Sequence, residues 1–344
     1  MIDTMRAVVA RGGRTLQLEL VPIPEPGPGE VRVRVEACGI CGSDLHLQHL
    51  GAMHEGRTPG HEIAGRVDAL GSGVAGLSVG EAVVVEPLAS CGRCPACRSG
   101  RDSVCPELRL YGVHADGGMA EHVVVPAQRL FPVTDGIDPR VAALAEPLAV
   151  VVHGLRRGGF QAGQRVLVLG AGNIGLLTAL AARSFGAGEV RISARHAHQA
   201  KLAREMGATH VLAEEDATPE ALAAWARQGG AELVVETVGG QADTLRAASA
   251  ALAPGGTISV LGLFLGAVKI DGFGLFVREG TLAFSNCYAR SPRADFADAV
   301  ALLEAERARL SPLVTHTVPF AEAASAFALA ADKRAGAIKV SLVP

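Results

Sequence analysis

Hydrophobic and polar residues follow two different patterns along the chain, and the change falls near residue 150. In residues 1–150, short segments alternate apolar and polar positions, as in VRVRVE at 31–36. A period of two is typical of a half-buried strand, so we expect a strand there, and residues 62–67 and 82–85 are further candidate strands. This first region is therefore predicted to be rich in β-structure.

From residue 166 onward, short apolar segments alternate with alanine-rich segments. This alternation predicts strands at 166–169, 190–193, 210–212, 233–236 and 258–261, a possible edge strand at 281–284, and helices at 176–183, 197–206, 219–227 and 244–252. Strands that alternate with helices along the chain predict a doubly wound parallel sheet, so the expected fold class is α/β. After residue 290, helices at 296–308 and 321–331 and a strand at 337–342 predict a return of the chain to the first domain.

The apolar segment at 166–169 leads directly into Gly170-Ala-Gly-Asn-Ile-Gly175, and a strong helix-forming segment follows. Gly170 allows a tight turn, Gly172 lets the backbone approach a pyrophosphate, and Gly175 lets helix and strand pack closely. The N–H groups at the start of the helix would face an anion. A glycine-rich turn alone is a weak signal, but between a strand and a helix it predicts a dinucleotide-binding site.

Composition narrows the class of protein. At 344 residues the chain is long enough for two domains, and its 49% hydrophobic but 4% aromatic content predicts cores of Ala, Val and Leu. Lys and Arg number 32 against 35 Asp and Glu, a net charge of -3, which gives no reason to expect nucleic acid or an anionic membrane as partner. Without a targeting signal or an apolar run of about 18 residues, we expect a soluble cytoplasmic protein.

Cysteine spacing predicts a metal site. Of seven cysteines, five lie between Cys41 and Cys105, and in a reducing compartment that clustering favours metal binding over disulfides. Four of them follow a regular pattern that suits a closed, tetrahedral structural zinc: Cys91, Cys94, Cys97 and Cys105. An iron–sulfur cluster or unconnected thiols are the alternatives.

A second set of candidate ligands comprises Cys41, His61 and Glu62. One thiolate, one imidazole and one carboxylate would leave a fourth position for water or substrate, as in catalytic zinc sites. Each residue alone is unremarkable, and Cys38 lies close enough to leave the choice of thiol open. Beside a dinucleotide site, such an ion would polarise an alcohol oxygen and lower its pKa, which would help its carbon to release hydride.

Together these residues resemble the zinc-dependent medium-chain dehydrogenases, the superfamily of alcohol, polyol (sorbitol) and threonine dehydrogenases. The resemblance covers essentially the whole chain, and the motifs occur in family order: Gly39-Ile-Cys-Gly-Ser-Asp-Leu-His46, Pro59-Gly-His-Glu62, the four cysteines, Gly117-Gly-Met-Ala-Glu-His122, Glu146-Pro-Leu148 and Gly170-Ala-Gly-Asn-Ile-Gly175.

The resemblance implies a GroES-like, β-rich, zinc-binding catalytic domain at 1–150, a Rossmann NAD(P)-binding domain at 151–289, and a return segment at 290–344 that completes the first domain. The active site would be the cleft between the domains. The partner would be a small alcohol or ketone, and pairing near 264–284 would build a homodimer or a homotetramer.

The resemblance also assigns roles by position. Cys41 and His61 match ligands of the catalytic zinc, and Glu62 would ligate the ion directly or when water leaves. Glu146 would reach the zinc directly or through its water. Ser43 and His46 match a proton relay, although turn capping is the alternative for both.

The predicted cofactor site combines the glycine loop with residues that the resemblance places near the nicotinamide and the pyrophosphate. A basic residue near the pyrophosphate is usual at position 339, although a solvated lysine is the alternative there. The set is Gly170, Gly172, Asn173, Ile174, Gly175, Leu261, Leu263, Asn286 and Lys339.

The end of the strand predicted at 190–193 indicates which cofactor binds. NAD usually needs an acidic residue there to hold the adenosine ribose, but the strand ends in Ser193-Ala-Arg195. Ser193 and Arg195 could instead bind a 2′-phosphate, so the sequence predicts NADP(H) over NAD(H). The alternative is that Arg195 points to solvent.

The sequence thus predicts an oxidoreductase with two zinc ions per chain, which transfers hydride between a secondary alcohol or polyol, or its ketone, and NADP(H). A zinc-free quinone or enone reductase of the same superfamily is one alternative. A catalytically inactive nucleotide-binding relative is the other.

Overall fold

The structure is a computed structural model that describes residues 3–289 and 294–344. The chain divides into two units, one formed by Met1–Glu146 with Arg290–Pro344 and the other by Pro147–Ala289. The first change of unit thus falls between residues 146 and 147, where the sequence suggested 150 and 151. None of the helices in the described ranges is both long and apolar enough to span a lipid bilayer.

The strands and helices of both units are numbered here in chain order. The described strands are β1 (Thr4–Arg11), β2 (Thr15–Pro22), β3 (Glu30–Gly39), β4 (Glu62–Leu70), β5 (Ala82–Val85), β6 (Leu88–Ala89), β7 (Arg109–Leu110), β8 (His122–Pro126), β9 (Leu130–Pro132), β10 (Arg165–Leu169), β11 (Glu189–Ser193), β12 (His210–Leu212), β13 (Ala231–Glu236), β14 (Leu252–Val260), β15 (Thr281–Phe284), β16 (Val314–Pro319) and β17 (Lys339–Val343). The described helices are α1 (Gly42–Leu50), α2 (Pro95–Arg98), α3 (Pro139–Ala142), α4 (Ala145–Arg157), α5 (Asn173–Ser184), α6 (Ala197–Glu205), α7 (Pro219–Ala226), α8 (Thr244–Ala251), α9 (Gly272–Val277), α10 (Asp295–Leu310) and α11 (Ala323–Ala331).

The first unit is organised around a mixed sheet in the order β16-β17-β3-β4-β5-β9, with β8 paired to β3. The alternation predicted for residues 31–36 is observed in β3, where Val31, Val33 and Val35 are buried and the arginines between them are not. Strand β17 pairs antiparallel with β3, with Leu342 opposite Cys38. The end of the chain thus joins the sheet of the first unit.

The second unit contains a six-stranded sheet in the order β12-β11-β10-β13-β14-β15, and all of its strand pairs are parallel. The chain starts at the centre with β10, moves outward to β12, and then returns to build the other half from β13. This doubly wound order confirms the predicted α/β class, and its direction reverses between β10 and β13. Ligands of such sheets bind beyond the carboxyl ends of the strands at that point.

For most strands and helices of the second unit, the bounds predicted from the sequence agree with the observed bounds to within a few residues. Strand β15 has the predicted bounds and forms the edge of the sheet, while β14 begins six residues before the predicted 258 and ends at Val260. In the first unit the antiparallel β1–β2 hairpin was not predicted. Its outer strand β2 alternates three leucines with Gln17 and Glu19, a period-two signal of a strand that the sequence reasoning overlooked.

Candidate metal centres and cofactor site

The four regularly spaced cysteines converge in space. Their sulfur atoms all lie within 4.8 Å of one another. The distances between sulfur atoms are 3.5 Å from Cys94 to Cys97, 3.9 Å from Cys94 to Cys105, and 3.9 Å from Cys91 to Cys97. Four sulfurs bonded tetrahedrally to zinc at about 2.3 Å would lie about 3.8 Å apart, so this cysteine cluster fits a closed zinc site.

Backbone N–H groups support thiolates in the cysteine cluster. The Cys97 N–H donates to Cys94 Sγ at 3.5 Å, and the Cys91 N–H donates to Cys105 Sγ at 3.4 Å. Backbone hydrogen bonds from Arg93 and Cys94 lower the pKa of Cys91 to about 7, whereas burial raises the pKa of Cys97 to about 12. A divalent cation would compensate the mutual repulsion of four thiolates held this closely.

The second predicted ligand set also converges. The ligand atoms of Cys41, His61 and Glu62 lie within 4.8 Å of one another, and we call this set the Cys41 cluster. Cys41 immediately precedes α1, while His61 and Glu62 stand at the start of β4. Glycine at position 39 permits this approach, because a Cβ there would lie only 2.0 Å from Glu62 Oε2.

Cys38 is separate from the Cys41 cluster. It is fully buried in the apolar core of the first unit, and burial raises the pKa of its thiol. Its side chain packs close to Gly60, where an added Cβ would lie 2.5 Å from the sulfur. The structure therefore brings Cys41, and not Cys38, together with His61 and Glu62.

Asp44 lies behind His61. Its Oδ1 is 3.5 Å from His61 Nδ1, and neither atom has a hydrogen-bond partner among the described residues. Its Oδ2 accepts a hydrogen bond of 3.0 Å from the backbone N–H of Cys41, so one buried carboxylate contacts the segments of both ligands. Burial opposes the charged imidazole, but Asp44 and Cys41 together raise the pKa of His61.

Lys339 lies on the other side of the Cys41 cluster. Its Nζ is 2.6 Å from both carboxylate oxygens of Glu62 and donates to the carbonyl of Ile40 at 3.0 Å. Burial alone would lower the pKa of Lys339, but Glu62 and Cys41 raise it overall. Lys339 is only 3% exposed, so the alternative of a solvated lysine is wrong. Its assignment to the pyrophosphate stays a prediction.

Glu146 is buried close to the same charges. Burial raises its pKa to about 7, while His61 and Lys339 lower it and Glu62 and Asp44 raise it. Among the described residues, however, it is not one of the three groups whose ligand atoms lie within 4.8 Å of one another. The structure thus places Glu146 beside the Cys41 cluster, and its direct or water-mediated ligation stays a prediction.

The two residues predicted as a proton relay lie on the helix that follows Cys41. Ser43 and His46 are three positions apart on α1 and both are half-buried. Residues at this spacing lie on one face of a helix. The relay itself stays a prediction.

The glycine loop lies between β10 and α5, as the sequence predicted. Gly170 has a φ of 100°, and a Cβ on Gly175 would lie 1.8 Å from the Gly170 carbonyl oxygen. Gly172 is the N-cap of α5, whose first residues are Asn173 and Ile174. Asn173 Oδ1 is buried and has no hydrogen-bond partner among the described residues. The loop therefore presents the start of a twelve-residue helix at the reversal of the sheet.

The two residues predicted to recognise a 2′-phosphate follow β11. Ser193 Oγ accepts a hydrogen bond of 2.9 Å from the Gly170 N–H, which ties the strand end to the glycine loop. Arg195 does not simply point to solvent, because its guanidinium forms an ion pair with Glu214. Sequence reasoning missed Glu214, whose only signal was a run of three acidic residues that begins two positions after β12.

The residues predicted near the nicotinamide follow the next strands of the same sheet. Leu261 and Leu263 come directly after β14, and Asn286 comes two residues after β15. The Leu261 N–H donates to the Glu236 carbonyl, and the Leu263 carbonyl accepts from the Gly240 N–H, both at 2.8 Å. All three therefore lie at the carboxyl end of the parallel sheet, as the glycine loop does.

Comparison with known proteins identifies the family. A family model described as "Alcohol dehydrogenase GroES-like domain" matches residues 27–135, and one described as "Zinc-binding dehydrogenase" matches residues 173–305. The chain is 35% identical to 2-dehydro-3-deoxy-L-galactonate 5-dehydrogenase of Pseudoalteromonas atlantica over 84% of each protein. It is 32% identical to sorbitol dehydrogenase of Bacillus subtilis, over 80% of this chain and 82% of that enzyme.

Among solved structures, a zinc-binding dehydrogenase from Sinorhizobium meliloti 1021 bound to NADP is similar to this chain, with a TM-score of 0.91 and 35% identity. The match covers 99% of this chain and 100% of that one. The protein is thus an oxidoreductase with a GroES-like domain and a Rossmann-like domain. It belongs to the zinc-dependent medium-chain dehydrogenase superfamily, which confirms the resemblance drawn from the motifs.

Proposed function

We propose that this chain is a zinc-dependent dehydrogenase that transfers hydride between a secondary alcohol or polyol, or its ketone, and NADP(H). The observation that carries the proposal is the convergence of Cys41, His61 and Glu62, whose ligand atoms lie within 4.8 Å of one another. Three protein ligands of these types leave a fourth position for a substrate oxygen. The dinucleotide motif belongs to the other unit of the chain.

The residues of the Cys41 cluster suit zinc. Ligand atoms bound tetrahedrally at about 2.0–2.3 Å lie about 3.3–3.8 Å apart, so small side-chain movements would complete the site. His61 Nδ1 faces Asp44, which makes Nε2 the nitrogen to ligate the ion and leaves Asp44 to orient the ring. When bound, the zinc would act as a Lewis acid on the substrate oxygen.

The chain supplies the other groups that the reaction needs. Ser43 and His46, on one face of α1, would pass the hydroxyl proton of the alcohol to solvent. Glu146, with a pKa raised to about 7 by burial, would stand beside the ion and bind it directly or through water. The cysteine cluster would hold a second, structural zinc that stabilises its own lobe and takes no part in the chemistry.

NADP(H) is the proposed cofactor because of the groups at the end of β11. Ser193 and Arg195 stand where an acidic residue would favour NAD. The S. meliloti relative was solved with NADP bound, which supports the same assignment.

The substrate class rests on the relatives. Two of the relatives are named after their substrates, which are a sugar acid in one and sorbitol in the other, and both are polyhydroxylated small molecules. We therefore propose a polyol or a related secondary alcohol as the substrate. A zinc-free quinone or enone reductase would need neither cluster, and an inactive relative would bind zinc without turnover.

Assembly into a homodimer or a homotetramer is part of the proposal. Strand β15 is the edge of its sheet, and Phe284 on that strand is 52% exposed. Nearby α9 exposes Phe273 and Phe276 by 77% and 78%. Edge-to-edge pairing of two β15 strands would satisfy the free backbone groups and cover these rings. Light scattering of the purified protein would give a dimer or tetramer mass if this is right, and a monomer mass if it is wrong.

The function is tested by steady-state kinetics on a panel of polyols, secondary alcohols, ketones and enones with both nicotinamide cofactors. We expect turnover of polyols or secondary alcohols, a higher kcat/KM with NADP, loss of activity on chelation and its return with zinc. Activity on enones that survives chelation would support the zinc-free reductase instead. Zinc binding without any turnover would support the inactive relative.

A further inference from the structure

Arg195 is held by a carboxylate that the sequence reasoning did not consider. Its Nε donates to Glu214 Oε2 at 3.0 Å, and its Nη2 donates to Glu214 Oε1 at 2.5 Å. Two parallel N–H···O bonds of this kind form the bidentate geometry that a guanidinium also uses for phosphate. Glu214 therefore occupies one binding edge of Arg195.

The pair follows from the topology of the sheet. Arg195 comes two residues after β11 and Glu214 two residues after β12, and these strands are adjacent and parallel. The Ala194 N–H donates to the Leu212 carbonyl at 2.9 Å and brings the two strand ends together. Both side chains thus lie at the carboxyl edge of the sheet, where a dinucleotide would place its adenosine ribose.

The ion pair reduces the net positive charge at this edge of the sheet. Glu214 neutralises the positive charge of Arg195 that a 2′-phosphate would need. Arg195, and to a smaller extent His196, lower the pKa of the Glu214 carboxyl, so it is ionised at neutral pH. A 2′-phosphate would therefore compete with Glu214 for the guanidinium.

The pair is exposed enough to be displaced. The side chains of Arg195 and Glu214 are 67% and 62% exposed, and exposed ion pairs contribute little to stability. A ligand with about two negative charges can therefore take the guanidinium from the carboxylate, at a modest loss of binding affinity.

We propose that Glu214 is a specificity-determining residue that competes with the 2′-phosphate of NADP for Arg195 and thereby limits the preference of the enzyme for NADP over NAD. The inference rests on the proposed NADP site at Ser193 and Arg195. It adds a residue that acts against that preference, so the enzyme accepts NAD more readily than Arg195 alone implies.

The test measures how tightly the zinc-loaded enzyme binds adenosine 2′,5′-bisphosphate and 5′-AMP by calorimetry. Glu214→Gln is expected to bind the bisphosphate about three- to tenfold more tightly and 5′-AMP unchanged. The matched control is Glu215→Gln, which removes the same charge one residue further along and should change bisphosphate binding by less than about twofold. Unchanged or weaker bisphosphate binding by Glu214→Gln overturns the proposal, and weaker binding would mean that Glu214 positions Arg195 for the phosphate.

A second background separates this inference from the cofactor proposal. If Arg195→Leu weakens bisphosphate binding but Glu214→Gln brings no gain, only the role of Glu214 is wrong. If Arg195→Leu leaves bisphosphate binding unchanged, both the NADP assignment and the role of Glu214 are wrong. In the Arg195→Leu background, Glu214→Gln is expected to have no effect, and an equal gain there would overturn the competition for Arg195.

Discussion

Lys339 Nζ lies 2.6 Å from both carboxylate oxygens of Glu62, and the two residues are only 3% and 1% exposed. The last strand of the chain thereby supplies a cation to a residue that we propose as a zinc ligand. A buried carboxylate needs a compensating charge, which Glu62 obtains from this lysine. Zinc bound to Glu62 would also compensate this charge.

Replacing Lys339 by methionine therefore tests whether Glu62 contacts the metal. Without zinc, Lys339→Met leaves Glu62 buried and unpaired, and the free energy of unfolding should fall by about 3–5 kcal/mol. With zinc bound, the loss should be smaller, because the ion compensates the carboxylate. Urea unfolding of both proteins, with zinc and after chelation, gives the four values needed. The control is Lys201→Met, which removes an exposed lysine of the other unit and should cost the same in both states. Equal losses for Lys339→Met in both states would contradict ligation by Glu62.

If the cysteine cluster holds a structural zinc, removing one of its thiols should change the metal content of the protein. Cys97→Ser removes one of the four thiols of the cysteine cluster. The protein should therefore lose one zinc per chain and unfold at a lower temperature. Elemental analysis and thermal unfolding of the same preparation measure both effects. The control is Cys287→Ser, a thiol in the other unit, which should keep all of its zinc. Retention of all zinc by Cys97→Ser would exclude the closed four-cysteine site.

Cofactor preference should respond to the end of β11. In the double variant Ala194→Asp, Arg195→Leu, the new carboxylate can bind the ribose hydroxyls, and the 2′-phosphate loses its charge-assisted hydrogen bonds. Such bonds are worth about 1.5–3 kcal/mol, so the ratio of kcat/KM for NADP to that for NAD should fall by about ten- to a hundredfold. Arg204→Leu removes an exposed arginine from α6 and should leave the ratio unchanged. A double variant that still prefers NADP to the same degree would reject this cofactor site.

If Ser43 and His46 form a proton relay, replacing His46 should lower the rate of alcohol oxidation to a degree that depends on pH. His46→Gln removes the imidazole that would pass a proton to solvent, so kcat for alcohol oxidation should fall by about a hundredfold near neutral pH. The loss should shrink as pH rises, because hydroxide in solution can then take the proton. The kcat–pH profile of each variant is the measurement, with His49→Gln, an exposed histidine of the same helix, as the control. Identical profiles for His46→Gln and wild type would favour turn capping as the role of His46.

Sequence reasoning worked best where local pattern and local structure agree. The buried strand β10, the glycine loop and α5 are contiguous, so their turn chemistry and apolar spacing predict the structure directly. The cysteine cluster was also predicted from the sequence, because its four residues lie within one short segment and their regular spacing is typical of a structural zinc site. Residues 82–85 form a strand with the predicted bounds.

Contacts between residues far apart in the sequence could not be predicted from local patterns. Lys339 and Glu62 are 277 positions apart, and nothing local to either residue indicates that the first residue of β17 contacts the first residue of β4. Arg195 and Glu214 were separately visible as charged residues, but their pairing depends on the register of β11 and β12. The β1–β2 hairpin, by contrast, was missed although leucines at 16, 18 and 20 alternate with polar residues, so its local signal was present and was overlooked.

The most direct test of the account is to measure zinc content and hydride transfer in the same preparations of wild type and Cys41→Ser, with Cys38→Ala as the control thiol. The account predicts two zinc ions per chain in wild type and in Cys38→Ala. Cys41→Ser should keep only the zinc of the cysteine cluster, should still bind NADP, and should oxidise alcohol at least about a hundredfold more slowly. A Cys41→Ser protein that keeps both zinc ions and its full rate would contradict the claim that the Cys41 cluster holds the ion required for the reaction.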